Sequence, residues 1–511
     1  MNRHCSCTRN RTHADRTVFG FLLMLTLCLL TLSAINLRAV SASGLVYIKA
    51  DGSVDPPTAF ISTADNLTYT LNGDVGQMVV ERNNIVIDGA NHTVFSTLTN
   101  YGILLNETSN VTVENMQVGA QWVMMQGKLI ALDGIRLHSC FNVSIIGNTF
   151  TDGVFALTIV DSSGTTVADN NMLKSDFASS VGLVCEGILL FNSSGSIISD
   201  NIITKIDYAV DIGFGSYGNF LHNNTVMQSK YGFFFSNLSN SLPSSPINTD
   251  NVDTSNTVDG RPVYYWVGKQ DLEVPTDAGV VALTNCHNIT AANLGLTHNE
   301  DSILLVNTTD SFITQASIAD STYGIHLVRC HNITVTQNLI ANCIIDIVLS
   351  QSSGNTIYHN QFDKLSVLIL NGESSNTWDN GYPSGGNCWG HMSLSGGYAN
   401  GPDIHWGVFQ NRTGCDGIID TPYVLDNNNT DHYLLASPYS YWVSPIIGDI
   451  NRNGKVDMND VEGAATSFGA VPTSLTWNPN ADITGPTRLH PDGKVDIRDI
   501  ALIARNVGKT S

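Results

Sequence analysis

The clearest chemical signal in this 511-residue chain is the stretch DINRNGKVDMND at 449–460, which has the spacing of a calcium-binding loop. Such loops place oxygen ligands at positions 1, 3, 5, 7, 9 and 12, with a glycine at position 6 where the backbone turns sharply. Gly454 falls at that turn. The sequence therefore predicts a calcium ion held by side-chain oxygens and, at position 7, by a backbone carbonyl: Asp449, Asn451, Asn453, Lys455, Asp457 and Asp460.

The second half of this loop returns as GKVDIRD at 493–499. Strict counting would place Arg488 at position 1, and a guanidinium cannot coordinate a cation. We therefore expect an insertion in the loop, with Asp482 as the first ligand. The other ligands of this second calcium site would be Asp492, the Lys494 carbonyl, Asp496 and Asp499. A helix-like segment follows each loop, so residues 446–511 are predicted to form a small module that folds around bound ions.

A second candidate for metal chemistry is a Cys-His pair that occurs in NCHNIT at 285–290 and again in RCHNIT at 329–334. Both copies belong to a longer repeat with a period of 22 residues in its most regular part. Four columns of the aligned copies define the repeat.

The first column contains only small residues: Thr108, Cys140, Ser162, Ser193, Gly215, Cys286, Thr308, Cys330 and Ser352. Two positions later come turn formers: Asn110, Asn142, Gly164, Gly195, Asn288, Asp310, Asn332 and Gly354. Five positions after the small column every residue is apolar: Val113, Ile145, Val167, Ile198, Phe220, Ala291, Ile313, Val335 and Ile357. Eight positions after it, six copies have Asn: Asn148, Asn170, Asn201, Asn223, Asn338 and Asn360.

These columns predict strands rather than helices, because apolar residues alternate with a period close to two. Short β-branched segments alternate with residues that tolerate left-handed backbone conformations. A repeat of this length made of short strands predicts a parallel β-helix of about ten coils. Its apolar columns would form a continuous core, and its Asn column would form hydrogen-bonded ladders along the axis.

Stacking of the coils accounts for the Cys-His pairs without a metal. Cys286 and Cys330 would lie two coils apart, at about 4.8 Å per coil, which is too far for a disulfide. His287 and His331 are expected to project at the following turn. We interpret the pairs as scaffold with buried thiols, and a shared metal site is the alternative.

The period is interrupted twice. Residues 227–280, around NTVDGRPVYYW, are expected to leave the stack and to pack their aromatic residues back on it, or to form an aromatic platform for sugars. Residues 381–436 are expected to cap the C-terminal end of the stack, where strand edges would be open.

Cys388 and Cys415 lie in this cap and are candidates for a disulfide. Four carboxylates there are expected to accept turn hydrogen bonds, with calcium binding as the alternative: Asp416, Asp420, Asp426 and Asp431.

Composition and the N-terminus indicate the compartment. Nucleic acid is not expected as a partner, because the net charge is −21 and phosphate binding needs basic patches. Residues 1–42 combine arginines, an apolar run from Val18 to about Ile35 and small residues before Ser43, which is the pattern of a secretory signal. We expect cleavage and an extracellular or cell-surface location. An uncleaved segment would instead anchor the chain in a membrane.

Residues from about 75 to 435 resemble the NosD-like branch of the CASH β-helix families, especially the forms on archaeal surface proteins. The resemblance rests on VVERNNIVIDGANHTV (79–94), NTVDGRPVYYW (256–266) and DGIIDTPYVLDNNNTDHY (416–433). It implies an all-β, right-handed parallel β-helix, which we place at 43–440. The family name comes from a periplasmic copper-associated protein, but no His, Met or Cys cluster in this sequence supports copper binding.

The two loop-helix units of 446–511 resemble a dockerin domain, which implies a cohesin-like or surface-layer protein as the partner. In dockerins, loop positions 10 and 11 make the attachment and often hold Ser or Thr. The corresponding residues here are Met458-Asn459 and Ile497-Arg498, which leaves the identity of the partner open.

The outward-facing positions of the repeat decide between an enzyme and a surface module. Acid–base hydrolysis of a polysaccharide needs two neighbouring carboxylates, yet the outward columns are mostly apolar and contain one acid, Asp211. Arg136, His138 and Asp161 form one loose polar group. We therefore predict a secreted or cell-surface β-helix that binds carbohydrate or serves a structural role, without catalytic residues. The alternative is a polysaccharide lyase, glycoside hydrolase or epimerase tethered by the dockerin-like module.

Overall fold

A computed structural model describes residues 44–96, 101–120, 123–125, 128–130, 133–151, 155–174, 184–239, 249–363, 367–370, 374–390, 401–413, 416–439, 446–451, 453–478, 480–484 and 493–510. The predicted signal segment, 1–42, lies outside these residues. No helix within the described ranges is long and apolar enough to cross a membrane.

The chain forms a parallel β-helix built as two stacks of coils. We call residues 44–258 the first stack and residues 261–389 the second stack. Each coil of the first stack contributes one strand to each of three sheets, A, B and C.

Sheet A consists of Val54–Asp55, Val46–Ile48, Met78–Val80, Tyr101–Asn106, Asp133–His138, Phe155–Val160, Glu186–Phe191, Tyr208–Ile212 and Tyr231–Phe234. Sheet B consists of Ile61–Ser62, Thr68–Leu71, Ile85–Asp88, Val111–Glu114, Ser144–Ile146, Thr166–Ala168, Ile197–Ser199, Phe220–His222 and Asn251–Val252. Sheet C begins with Thr93–Ser96, Gln117–Ala120, Thr149–Thr151, Asn171–Leu173, Ile202–Thr204, Thr225–Met227 and Thr257–Val258.

Sheet C continues into the second stack with Arg261–Val267, Val280–Thr284, Asp301–Val306, Tyr323–Val328, Ile345–Ser350 and Val367–Leu370. Sheet D consists of Gln270–Val274, His287–Ala292, Phe312–Thr314, Thr334–Thr336 and Thr356–Tyr358. Sheet E consists of Gly295–Thr297, Ser317–Ala319, Leu339–Ala341, Gln361–Phe362 and Cys388–Trp389. Three antiparallel hairpins lie outside these sheets: Val123–Met125 with Lys128–Ile130, His405–Trp406 with Arg412–Thr413, and Tyr423–Asp426 with Asn429–Asp431. The described helices are Ser236–Ser239, Met458–Thr466 and Ile497–Asn506.

Side chains one coil apart lie over one another, as the repeat predicts. The predicted turn formers all have positive φ, for example Asn142 at 50° and Gly164 at 64°, so each coil bends where a left-handed residue occurs. Inward-facing apolar columns form the cores of both stacks. In the first stack one such column is Leu105, Leu137, Ile159, Leu190 and Ile212. In the second it is Leu283, Leu305, Leu327 and Leu349.

The Asn column forms buried amide ladders, also as expected. In the first stack, the Oδ1 of Asn201 accepts hydrogen bonds from the backbone and side-chain amides of Asn170 at 3.1 and 3.0 Å. The next member is Asn224 rather than the predicted Asn223, because this coil contains 23 residues instead of 22. The same extra residue replaces Gly215 by Ser216 in the small column and Phe220 by Leu221 in the apolar column.

The two stacks do not form one uninterrupted rod. An antiparallel hairpin pairs Thr257–Val258 with Arg261–Pro262, so that sheet C passes from the first stack into the second with its strand direction reversed. Residues 227–280 therefore do not leave the stack as expected, because they supply strands to sheets A to D. Tyr265, one of the aromatic residues of this segment, belongs to the core of the first stack and is 6% exposed.

This reversal buries the outward face of the second stack. The outward residues of its part of sheet C belong to the same apolar cluster as the interior of the first stack: Ala282, Leu304, Val306 and Val328. The helix Ser236–Ser239 contacts both the strand Tyr208–Ile212 and the strand Asp301–Val306. The apolar outward columns noted in the sequence are therefore core residues rather than a solvent-exposed face.

The C-terminal part of the chain contains two smaller units. Residues 416–439 pack Ile419 and Leu434 against Trp378 and Trp389 at the end of the second core. In residues 446–510, the two helices that follow the predicted loops contact one another. A separate core fills this unit: Ile450, Val456, Ala464, Ala481, Val495 and Ile503.

Candidate functional site

The first predicted calcium loop is closed by two buried carboxylates. Asp460 is fully buried, and its oxygens accept hydrogen bonds from the backbone amides of Ile450 at 2.9 Å and Asp457 at 2.8 Å. Asp449 accepts from the amide of Gly454, the turn residue with φ 81°, at 2.8 Å. Asp457 caps the following helix through a bond to the amide of Asn459.

The second loop repeats this arrangement. Asp499 is fully buried and accepts from the amides of Ile483 at 2.9 Å and Asp496 at 2.8 Å. Asp482 accepts from the amide of Gly493 at 2.8 Å, as Asp449 does from Gly454. Asp482 thus occupies the position in the second loop that Asp449 occupies in the first, which is the position predicted for the first ligand. The ligand predicted at Asp492 lies outside the described residues.

The side chains present fit calcium, which binds oxygen donors from carboxylates, amides and carbonyls. The predicted first site combines Asp449, Asp457 and Asp460 with two Asn side chains and the Lys455 carbonyl. The part of the chain that the structure describes contains no group of three or more His, Cys, Asp or Glu side chains arranged to hold a metal ion. The structure therefore does not gather Asp449, Asp457 and Asp460 into such a group. Calcium binding therefore stays a prediction.

The Cys-His pairs lie where the stacking model places them. Cys286 and Cys330 are buried free thiols that contact backbone carbonyls of their own or the preceding coil. His287 projects at the turn and contacts Thr309 at 3.1 Å. Cys388 is also a buried free thiol, whereas Cys415 lies outside the described residues, so the proposed pairing of these two remains a prediction.

The carboxylates of the C-terminal cap accept turn hydrogen bonds. Asp416 accepts from the amide of Ile418, Asp420 from the ring of His405 at 2.7 Å, and Asp426 from the amide of Asn428. Asp431 accepts from the backbone of Asn387 and from the indole of Trp389. In the loose polar group, His138 lies 3.5 Å from Asp161, but Arg136 instead pairs with Asp133 at 3.3 Å.

Acidic and tyrosine side chains of the two stacks meet where the strands of sheets A and C begin. Asp133, Glu186, Tyr208 and Tyr231 share one register position in sheet A. Asp301 and Tyr323 share the corresponding position in the second stack. Burial, with a further contribution from the charge of Glu300, raises the pKa of Tyr208 to about 12, so Glu300 of the second stack lies near Tyr208 of the first. We call the resulting cluster the seam: Glu186, Tyr208, Asp211, Tyr231, Glu300, Asp301, Tyr323 and His326.

Burial is the main cause of the raised carboxyl pKa values in the seam. It raises the pKa of Glu186 to about 7, with further contributions from Asp211 and Asp133. It raises the pKa of Glu300 to about 7 although Thr322 donates a hydrogen bond at 2.7 Å, which lowers it. The pKa of Asp211 rises to about 6. Carboxyl groups with such values can donate and accept protons near neutral pH.

A buried Asp-His pair forms the second-stack wall of the seam. The Nδ1 of His326 lies 2.9 Å from Oδ1 of Asp301, and the two side chains are 8% and 4% exposed. A carboxylate can only accept, so Nδ1 carries the proton and Nε2 of a neutral imidazole is an acceptor. Nε2 has no hydrogen-bond partner in the described residues. The ring of Tyr323 lies 5.5 Å from the imidazole. The pair thus presents one ring nitrogen without a described partner inside the seam.

A pocket with a volume of about 610 Å³ opens beside the seam. We call it the lysine pocket, and its walls include Lys174, Lys205, Asp207, Lys230, Asp259 and His298. The Nζ of Lys230 lies 4.9 Å from the centroid of the Tyr231 ring. Burial raises the pKa of Glu300, and the charge of Lys230 opposes part of that rise. The lysine pocket therefore borders the seam.

This site was not predicted from the sequence. Asp211 was noted as an outward acid without a role, and no role was assigned to Glu186, Glu300 or His326. One signal was present in the sequence: the position that opens the first strand of each coil is repeatedly acidic or Tyr, as at Asp133, Glu186, Tyr208, Tyr231, Asp301 and Tyr323.

Comparisons with known proteins agree with this fold. Residues 82–245 match the family described as right handed beta helix region, and residues 271–398 match the family described as periplasmic copper-binding protein (NosD). Each match covers less than half of the chain. Together with the parallel sheets they confirm the predicted right-handed β-helix. No curated protein has a sequence that matches this chain.

Solved structures show only distant likeness. An exopolygalacturonase from Thermotoga maritima has 11% identity and a TM-score of 0.30, covering 59% of this chain and 82% of its own. A polygalacturonase from Erwinia carotovora has 12% identity and a TM-score of 0.29, covering 62% and 88%. The catalytic domain of an α-1,3-glucanase in complex with nigerose has 14% identity and a TM-score of 0.27, covering 63% and 62%. At these values the likenesses carry no argument about activity.

Proposed function

We propose that this protein is an exported surface protein whose β-helix presents a carbohydrate-binding site and whose residues 446–511 attach it, in the presence of calcium, to a cohesin-like or surface-layer partner. The observation that carries the proposal is the matched architecture of the two loops. In each, a fully buried aspartate, Asp460 or Asp499, holds the amides at both ends of the loop. Export is supported by the N-terminal sequence pattern and by the periplasmic location named for the family that residues 271–398 match. Copper binding is named for that family and is not part of the proposal.

Calcium titration of the full chain tests the module. Calorimetry should detect calcium binding, and Asp460→Asn or Asp499→Asn should each remove one site while keeping a side-chain acceptor for the loop amides. Glu462→Gln is the matched control, because Glu462 is exposed and lies outside the ligand positions. An absence of calcium-dependent heat in the unmodified protein, or equal loss in all three variants, would contradict the proposal.

Exposed apolar residues at the start of both helices support a docking role. Met458 is 67% exposed and Ile497 is 64% exposed, and both occupy position 10 of their loops. Apolar side chains at two equivalent positions suit a partner surface that recognises the two helices alike. Replacing both by Asp should abolish calcium-dependent binding to isolated cohesin or surface-layer preparations without changing calcium affinity. Unchanged binding would exclude this surface.

A polysaccharide-active enzyme is the second candidate, and the seam is the observation that favours it. Glu186 and Glu300 come from different stacks and both have pKa values raised to about 7, as a general acid requires. A screen of acidic and neutral polysaccharides would detect turnover. Activity lost in Glu186→Gln and Glu300→Gln, but kept in the exposed control Glu273→Gln, would establish catalysis at the seam. Activity that survives both seam variants would exclude it.

A further inference from the structure

The lysine pocket has an unusual charge for this protein. The chain has a net charge of −21 and contains only ten lysines, of which three line this pocket. All three belong to the first stack. Lys174 and Lys205 directly follow strands whose ends are paired at Leu173 and Thr204, so they lie one coil apart, at about 4.8 Å.

Two of these lysines are not neutralised within the described part of the chain. Lys174 is 8% exposed and pairs with Asp207 at 2.5 Å. Lys205 and Lys230 are exposed and make no ion pair with a described residue. The second acid of the pocket, Asp259, accepts a hydrogen bond from the backbone amide of Gln228 at 2.8 Å. Among the described residues, the pocket thus has two ammonium groups without an ion pair, and Asp259 is its one carboxylate without an ion pair.

The rest of the pocket suits a ligand rich in hydroxyl groups. Gln228, Ser229 and His298 add further hydrogen-bonding side chains to the walls. The volume of about 610 Å³ falls within the range of small-molecule sites. A ligand that combines carboxylates with hydroxyl groups is an oligosaccharide of uronic acids.

We propose that the lysine pocket binds acidic oligosaccharides, with Lys205 and Lys230 contacting uronate carboxylates. This rests on the proposed carbohydrate-binding role of the β-helix and names its ligand class. The position of Lys230 beside Glu300 would place the bound sugar against the seam. Gln228, Ser229 and His298 would then contact the hydroxyl groups.

Calorimetry on the full chain tests this with trigalacturonate as the probe. Cellotriose, which lacks carboxylates, and inorganic phosphate, which lacks a sugar ring, are the comparison ligands. Trigalacturonate should bind, and Lys205→Gln and Lys230→Gln should each weaken binding by at least about tenfold, because each removes a charge-assisted contact. Lys269→Gln removes the same charge from an exposed position outside the pocket and should change affinity less than about twofold.

Three results would overturn the inference. Absence of trigalacturonate binding would exclude the ligand class, and equal binding of phosphate would show an unselective anion site. An equal effect of Lys269→Gln would show that net charge alone attracts the ligand. Calcium titration of the same protein is independent of the pocket, so this inference can fail while the calcium-dependent module stands.

Discussion

The burial of Glu300 at the seam predicts a specific dependence of stability on pH. Its pKa is raised to about 7 from the ordinary value of 4.5, mainly by burial. Because the folded protein holds this proton more tightly than the unfolded chain, the stabilisation is complete below pH 4.5 and is lost as the pH rises through about 7. At about 1.4 kcal/mol per pH unit, the loss amounts to about 3 kcal/mol. The groups that surround Glu300 are Tyr208, Asp211, Lys230, Asp301, Thr322 and Tyr323.

Glu300→Gln replaces the carboxyl by a neutral group of the same shape and should abolish this loss. Urea unfolding at pH 5 and pH 8 measures the effect. At pH 5 the variant should be close to the unmodified protein in free energy of unfolding. At pH 8 it should be more stable by up to about 3 kcal/mol. Glu273→Gln, at an exposed site, should show no such difference. An equal difference between Glu300→Gln and the unmodified protein at both pH values would refute the assignment of a proton to Glu300 near neutrality.

Two further predictions concern the scaffold. Asn201→Ala removes four buried hydrogen bonds, to Asn170, Val167 and Asn224, and should lower the free energy of unfolding by about 4 kcal/mol in urea titration. The exposed control Asn171→Ala should change it by less than about 0.5 kcal/mol; similar losses in both would contradict the ladder as a source of stability. Burial raises the pKa of the Cys330 thiol to about 12. Its modification by a disulfide reagent at pH 8, followed by mass spectrometry, should therefore require unfolding, and rapid labelling of the native protein would contradict its buried position.

The fold could be predicted from sequence because its determinants repeat along the chain. Each coil carries the same small, apolar and Asn positions, so a local pattern specifies a long-range pairing. The prediction was off by one residue where the coil lengthens, at Ser216, Leu221 and Asn224. A repeat period of 22 does not reveal that one coil has 23 residues. The register of that coil is fixed by its hydrogen bonds to the neighbouring coil, as between Asn201 and Asn224.

The two loops could be proposed as calcium sites from sequence alone, since all ligands expected for one loop lie within a short segment, and calcium binding itself stays a prediction. In the irregular second loop, Asp482 is the expected first ligand because Arg488 cannot coordinate a cation. The structure gives Asp482 the same hydrogen bond as Asp449.

The seam could not be predicted in the same way. Glu186 and Glu300 are far apart in sequence and in different stacks, and both lie near Tyr208 only because the hairpin at 257–262 reverses the chain. If the coils formed one continuous rod, the apolar outward columns would be exposed to solvent and would indicate that the rod has no catalytic face. The reversal buries those columns, as at Leu304 and Val306, and brings the acids to the edge of the buried interface.

The burial of these acids helps to decide whether the seam has only a structural role or also a functional one. A carboxyl group in a largely buried position destabilises the folded state at neutral pH, as worked out above for Glu300, whereas Gln or Leu at the same position would not. The ladder positions show that the chain uses neutral amides where only packing is needed, as at Asn170 and Asn201. At the seam it instead places acids beside an Asp-oriented imidazole and a pocket with free ammonium groups. Carboxyl groups with raised pKa values that cluster beside a pocket are typical of functional sites, which favours ligand binding or proton transfer at the seam over a purely structural role.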